Sequence, residues 1–245
     1  NLSFIGVNLS QSGNDVHNAE AINYSKKALE LIEAGKTPEG MTNFNKDQAI
    51  GQLNIALGRF SLKANAFEDA VKYFTKATEK DPASKQDPAT YFFIGQAYAG
   101  AYEPVADKLK AFVGKPETDE SKALQARLDQ ISDVMIDAFA RTVSYSGTDP
   151  KHTQVKNIAN EQLTVLYKAR HEEKTDGLNE LVSGITSKPL PVLSPPSATP
   201  PPSTTAPAGT NTTPQAPVTP QSQPSSNGTA KPNSVARAVA RASRP

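Results

Sequence analysis

Residues 51–82 read GQLNIALGRFSLKANAFEDAVKYFTKATEKDP, and this stretch decides the fold of the chain. Small and apolar side chains recur every three or four residues on both sides of the break KANAF at 63–67, a spacing that predicts two amphipathic helices. The first ends near Leu62. The second ends before Asp81-Pro82, because proline disfavours helix in the residue that precedes it. We therefore expect two helices joined by a short turn.

The same helical spacing extends to both sides of this stretch. It predicts a helix over 19–34, which Gly35 ends. After the stretch, Asp87 is expected to cap a further helix and Pro88 to occupy its first turn.

Three more helices are predicted before residue 188. Asp119 is expected to cap a long one, Asp149-Pro150 to begin the next, and a short last helix to cover 177–185. No segment of four to eight residues alternates apolar and polar side chains between turn signals, so we expect no strands. The fold class predicted from the sequence is all-α.

The last 57 residues differ in composition from the rest. Residues 189–245 hold 14 of the 20 prolines, no aromatic side chain and no acidic one, so they cannot bury a core. We predict a helical domain over 1–188 and a Pro/Ser/Thr-rich, low-complexity tail over 189–245. The spacing of Pro214, Pro217 and Pro220 favours polyproline II, so the tail is expected to be an extended or disordered tether.

Charge and composition exclude several functions. The tail carries four basic side chains, which leaves residues 1–188 with 22 basic and 25 acidic ones, a net charge of −3. A nucleic-acid-binding domain is therefore not expected. No apolar run approaches the roughly 20 residues of a membrane span, and the lack of Cys excludes disulfides and thiolate metal sites.

Residues with catalytic or metal-binding potential do not form a recognisable set. The three histidines are isolated from one another: His17, His152 and His171. Gly114-Lys115 is similar to the end of a phosphate loop, but Pro116 stands where a hydroxyl would meet magnesium. We expect no enzymatic activity, no cofactor and no metal.

Residues 51–82 resemble the tetratricopeptide repeat, a helix-turn-helix unit of about 34 residues. In that family small side chains let neighbouring helices approach closely, an aromatic side chain fills the space between them, and proline ends the second helix. Asn54 and Ser61 depart from the pattern, because aromatic residues are usual at both positions. The residues that carry the resemblance are Leu57, Gly58, Phe67, Ala70, Phe74, Ala77 and Pro82.

A second copy of the repeat begins at Pro88, and its first-helix signature is carried by Tyr91, Ile94, Gly95 and Tyr98. Glu103-Pro104 is expected to interrupt the second helix of this copy. Only a distorted helix over 105–112 is then expected. Weaker copies cover much of the remaining domain. The resemblance implies a helical-hairpin superhelix, or α-solenoid, in which each unit contacts its neighbours.

The resemblance also implies binding of a protein or peptide segment in a concave surface lined by the first helices. The residues expected there are Gln52, Ile55, Arg59, Leu62, Lys63, Phe92 and Gln96. Such a mixed apolar and basic groove suits an extended segment with apolar anchors and an acidic end. Alternatively, Ile55, Leu62 and Phe92 pack against neighbouring helices.

We therefore expect a non-enzymatic protein-protein interaction scaffold with a Pro-rich tether. The alternative is a structural subunit of a large envelope or extracellular assembly, whose tail threads between its neighbours. The chain begins at Asn1 rather than Met. Together with the absence of Cys and the Pro-rich tail, this favours an exported protein of the periplasm or cell envelope, with a cytoplasmic location as the alternative.

Overall fold

The computed structural model describes residue 7, residues 17–191 and residue 193. All regular structure in these residues is helical, so the predicted all-α class is confirmed. Short 3₁₀-helices cover Pro150–His152 and Ile185–Ser187. The α-helices of the described part are α1 (Asn18–Glu33), α2 (Lys46–Lys63), α3 (Phe67–Lys80), α4 (Pro82–Gln86), α5 (Pro88–Lys110), α6 (Asp119–Ser146), α7 (Thr153–Arg170) and α8 (Leu178–Gly184).

The long helices pack mainly against the long helices that precede and follow them. α2 and α3 form a hairpin, and α5 and α6 form a second, longer one. α3 packs against α5 and joins the two hairpins, while α1 packs on α2 and α7 on α6. The tail beyond residue 193, including the predicted polyproline tether, lies outside the described residues.

Side-chain caps fix the starts of four of the eight described α-helices, and α5 is one of them, as the sequence predicted. The carboxylate of Asp87 accepts the N–H of Ala89 at 3.0 Å, directly before Pro88 in the first turn. Asn45 caps α2 in the same way. Each such cap contributes about 1 kcal/mol, because it satisfies an N–H group that has no partner within its helix.

Helix α5 differs from the sequence prediction. It runs unbroken through Pro104 to Lys110, so the expected interruption at Glu103-Pro104 and the separate helix over 105–112 are wrong. Tyr102 and Ala106 are buried on either side of the proline. Their packing offsets the roughly 3 kcal/mol that an interior proline costs a helix. The second helix of this hairpin is α6.

The cap of α6 is also one residue earlier than predicted. Thr118, not Asp119, is the N-cap, and its hydroxyl accepts the N–H of Ser121 at 3.1 Å. The hydroxyl of Ser121 accepts the N–H of Thr118 at 2.9 Å, which completes a capping box. Asp119 lies in the first turn, where its charge complements the helix dipole.

The main hydrophobic core lies among α3, α5, α6 and α7. Its largest fully buried members are Phe74, Ile94, Leu128, Ile131, Met135, Phe139, Leu163, Leu166 and, from the 3₁₀-helix that follows α8, Ile185. A smaller cluster joins α1 to α2 through side chains that include Leu29, Ile32, Leu53 and Leu57. Helix α1 is therefore held by its own apolar contacts, separate from the main core.

Candidate interaction surface

Two glycines lie where the helices of each hairpin approach one another closely. A Cβ at Gly58 in α2 would lie 2.7 Å from the ring of Phe74 in α3. A Cβ at Gly95 in α5 would lie 2.6 Å from the ring of Phe139 in α6. The same type of contact therefore occurs in both hairpins: a glycine of the first helix lies against a phenylalanine ring of the second helix.

The other residues expected to pack the repeats have two different environments. Leu57, Ala70, Ala77 and Tyr98 are buried, the two alanines completely. Pro82 is exposed and does not lie within α3, which ends at Lys80; it occupies the first turn of α4.

The residues expected on the concave surface lie on α2 and α5 with mixed exposure. Ile55, Leu62 and Phe92 are half-buried and pack against the main core, as the alternative interpretation stated, although each keeps part of its surface exposed. Arg59 is half-buried as well. The remaining three are exposed polar side chains: Gln52, Lys63 and Gln96.

Arg59 of α2 contacts Phe93 of α5, an aromatic residue that was not among those predicted for this surface. Its guanidinium carbon lies 5.1 Å from the ring centroid of Phe93. Phe93 also stacks on Phe74 at 5.5 Å between centroids and makes a tilted contact with Phe92 at 6.2 Å. Burial lowers the pKa of Arg59, and the nearby charge of Asp87 partly opposes this effect. The guanidinium stays protonated, so the contact is a cation-π interaction.

The adjacent pair Phe92-Phe93 is a sequence signal that the two rings point in different directions. Neighbouring helical positions point about 100° apart, so both rings cannot face the core in the same direction. In the structure Phe92 contacts Phe139 at 6.0 Å between centroids, while Phe93 turns toward α2 and α3. We call Ile55, Arg59, Leu62, Phe92 and Phe93 the α2-α5 face.

A second constellation holds residues 188–191 and Leu193, which we call the C-terminal segment. Arg141 of α6 is buried, and its Nη2 donates to the carbonyls of Lys188 and Pro189, both at 2.9 Å. Its Nε donates to Oδ1 of Asp137 at 2.6 Å. Burial raises the pKa of Asp137, and the hydrogen bond from Arg141 opposes that rise.

Aromatic side chains of α5 complete this constellation. The guanidinium of Arg141 lies 5.8 Å from the ring centroid of Tyr91. The Tyr91 ring also stacks on Tyr145 at 5.3 Å. Burial raises the pKa of Tyr98, and a hydrogen bond with the backbone of Leu193 partly opposes the rise. Leu190 and Leu193 pack against the main core.

The sequence contains one signal for Arg141, its spacing from Asp137. Asp137 and Arg141 are four residues apart, so they lie on one face of the predicted helix, and that face also carries apolar side chains. The two carbonyls that Arg141 binds are 47 and 48 residues away, and no local pattern predicts such a contact.

Within residues 17–191, no three His, Cys, Asp or Glu side chains are grouped so that they could hold a metal ion. None of the helices described there combines the length and apolar character of a membrane span.

Comparison with known proteins adds no relative: no family model, curated protein or solved structure matches this chain. The α2-α5 face and the Arg141 constellation therefore rest on the geometry of this chain alone.

Proposed function

We propose that this chain is a non-enzymatic scaffold that binds another protein through tetratricopeptide-like hairpins. The observation that carries the proposal is the contact between Gly58 and Phe74, which recurs between Gly95 and Phe139 in the next hairpin. A recurring contact of this kind is what stacked units of an α-solenoid require. In that arrangement the first helices of the hairpins, α2 and α5, line one inner face.

The α2-α5 face has the composition of a protein-binding surface. Its apolar members are half-buried, and the same two helices carry exposed polar side chains such as Gln52 and Gln96. Known interfaces likewise combine an apolar core with a polar rim. Arg59 over Phe93 brings together arginine and an aromatic ring, and arginine is enriched among residues that dominate binding energies. An extended segment with apolar anchors and an acidic end complements this surface.

A structural subunit of a larger envelope or extracellular assembly is the second candidate. The observation that favours it is the attachment of Lys188 and Pro189 to Arg141. This attachment gives the following tail a fixed point of exit from the helical domain. A tail that connects neighbouring subunits benefits from such a point, because a defined origin limits the positions that a tether reaches.

Capture of partners by the full-length chain tests the scaffold proposal. Wild-type protein and the Arg59→Glu variant are immobilised, native extract is passed over both, and bound proteins are quantified by mass spectrometry. The matched control is Lys72→Glu, which reverses a charge at an exposed position of α3. Thermal unfolding of all three proteins verifies that they are folded.

We expect Arg59→Glu to lose partners that the wild type and the Lys72→Glu control retain. Loss of a dominant arginine costs about 2 kcal/mol of binding free energy, or roughly 30-fold in affinity. Equal recovery by all three proteins would exclude the α2-α5 face as the binding surface. Recovery of a fixed set of subunits that depends on the tail but not on Arg59 would favour the assembly candidate.

A further inference from the structure

At the start of the C-terminal segment, the helical domain satisfies the backbone polar groups of Lys188 and Pro189. The N–H of Lys188 donates to the carbonyl of Ile185 at 3.1 Å. The carbonyls of Lys188 and Pro189 both accept from Arg141, and proline has no N–H to satisfy. The domain therefore recognises these residues through backbone atoms that any extended peptide of this kind carries.

The sequence of the segment makes it stiff before it binds. Lys188 and Leu190 each precede a proline, and residues in that position are restricted to extended conformations. Lys188 has φ −93° and ψ 151°, in agreement with this restriction. A stiff segment loses little conformational entropy on binding, and grooves lined by aromatic rings recognise such Pro-rich segments for this reason.

The spacing of the contacts on α5 matches the length of the segment. Arg141 lies over Tyr91 of α5, and Leu193 contacts Tyr98 of the same helix. Tyr98 is seven residues after Tyr91. Seven helical residues span about 10 Å, and the four steps from Pro189 to Leu193 span about 12 Å in polyproline II geometry. The contacts at Tyr91 and Tyr98 are therefore about two turns of α5 apart, a separation that an extended segment of this length can bridge.

We propose that the groove between α5 and α6 is a peptide-binding site for an extended proline-leucine segment, occupied in cis by the C-terminal segment, and that the same segment of a second copy is its ligand in trans. Arg141 holds the ligand's carbonyls, and Tyr98 meets the end that carries Leu193. The site is separate from the α2-α5 face, so it does not depend on the proposed function.

The cis occupant excludes a free peptide from the wild-type groove. Because the segment is joined to α8 by only the short 3₁₀-helix Ile185–Ser187, its effective concentration at the groove is on the order of millimolar. A free peptide at micromolar concentration competes poorly with it. We therefore expect the free peptide to bind the wild type weakly. Its affinity for the groove can be measured when the cis segment is released.

The first experiment releases the cis segment by substitution in the full-length chain. The double variant Leu190→Asp/Leu193→Asp places two charges against the apolar core and removes both anchors. A fluorescent peptide of residues 186–196 (TSKPLPVLSPP) is titrated into this variant and into the wild type, and binding is followed by anisotropy. A matched peptide carries the same two Asp substitutions.

We expect the double variant to bind the peptide at least tenfold more tightly than the wild type does, and the Asp-substituted peptide to show no saturable binding. Adding Arg141→Lys to the double variant should weaken binding at least tenfold, because one ammonium does not reproduce the guanidinium's contacts. Equal affinity of wild type and double variant, or of the two peptides, would overturn the proposal.

A second experiment tests exchange between copies with single substitutions that leave the segment otherwise intact. The chain has no Cys, so introduced thiols report one contact each. Copies with Tyr98→Cys are mixed with differently tagged copies carrying Leu193→Cys, incubated at high concentration and oxidised. The control pair combines Leu193→Cys with Lys72→Cys.

Exchange in trans predicts that cross-linked pairs form at least fivefold more from the Tyr98→Cys mixture than from the control mixture. The yield should rise with protein concentration, since it depends on an encounter between copies. Equal yields from the two mixtures would show that the segment does not reach the groove of another copy, and would overturn the trans ligand.

Discussion

Alanine at Gly95 is expected to destabilise the helical domain, although alanine is the better helix former. A Cβ at this position would lie 2.6 Å from Cε1 of Phe139, far inside normal contact distance. Phe139 is 2% exposed, and close-packed neighbours leave its ring little room to withdraw. The added methyl group therefore displaces α5 from α6.

The magnitude follows from two opposing effects. Overpacking of a core costs about 1–3 kcal/mol, and replacing glycine by alanine within a helix returns at most about 1 kcal/mol. A Cβ contact of 2.6 Å puts this site in the upper half of the overpacking range. The net loss is therefore about 1–2 kcal/mol in the free energy of unfolding. For a domain of this size such a loss lowers Tm by about 2–8 °C.

Urea denaturation and calorimetry of the full-length chain measure this loss. The control is Gly184→Ala, because a Cβ at that helical position meets no atom within 4 Å; it should leave stability unchanged or raise it by up to about 1 kcal/mol. Combining Gly95→Ala with Phe139→Leu should cost less than the sum of the single changes, since leucine vacates the clash.

A Gly95→Ala protein as stable as the wild type would refute the reasoning. It would mean that α5 and α6 do not approach as described, and that the contact shared by the two hairpins does not limit their packing. The observation that carries the proposed solenoid would then be lost.

Three further changes test other features of the fold. Asn54→Leu should be neutral or stabilising by about 1 kcal/mol, because the buried Oδ1 of Asn54 has no hydrogen-bond partner; a loss above 1 kcal/mol in urea denaturation would contradict this. Thr118→Ala should lower the free energy of unfolding by about 1 kcal/mol through loss of the α6 cap, and an unchanged denaturation midpoint would argue against the capping box. Burial raises the pKa of Tyr98 above 10.0, so the folded state holds this proton more strongly than the unfolded state, and stability should fall as pH rises above 10.0. Tyr98→Phe should reduce the steepness of that fall, and identical slopes would show that Tyr98 does not contribute.

The sequence predicted the helices well where a local signal marks their ends. Asp87-Pro88 and the break at 63–67 coincide with the observed boundaries of α5 and of the α2-α3 turn. Such caps and breakers act through neighbouring residues, so their effect is visible in the sequence.

Continuity of α5 through Pro104 could not be predicted in the same way. The local cost of the proline is evident from sequence, but the packing of Tyr102 and Ala106 that offsets it depends on α3, α6 and the rest of the core. The partners of Arg141 are a second case. Its sequence neighbours identify a buried ion pair with Asp137, yet the carbonyls of Lys188 and Pro189 are brought to it only by the tertiary fold.

Pro104 also gives α5 a point at which it can bend. Proline has no N–H, so the carbonyl of Gly100, four residues earlier, lacks its usual helical donor. Gly100 is also the place where Phe67, at the start of α3, touches α5. The part of α5 after Pro104 would therefore bend relative to the part that α3 holds at Gly100. Amide protons just beyond Pro104 should exchange with deuterium sooner than those before Gly100.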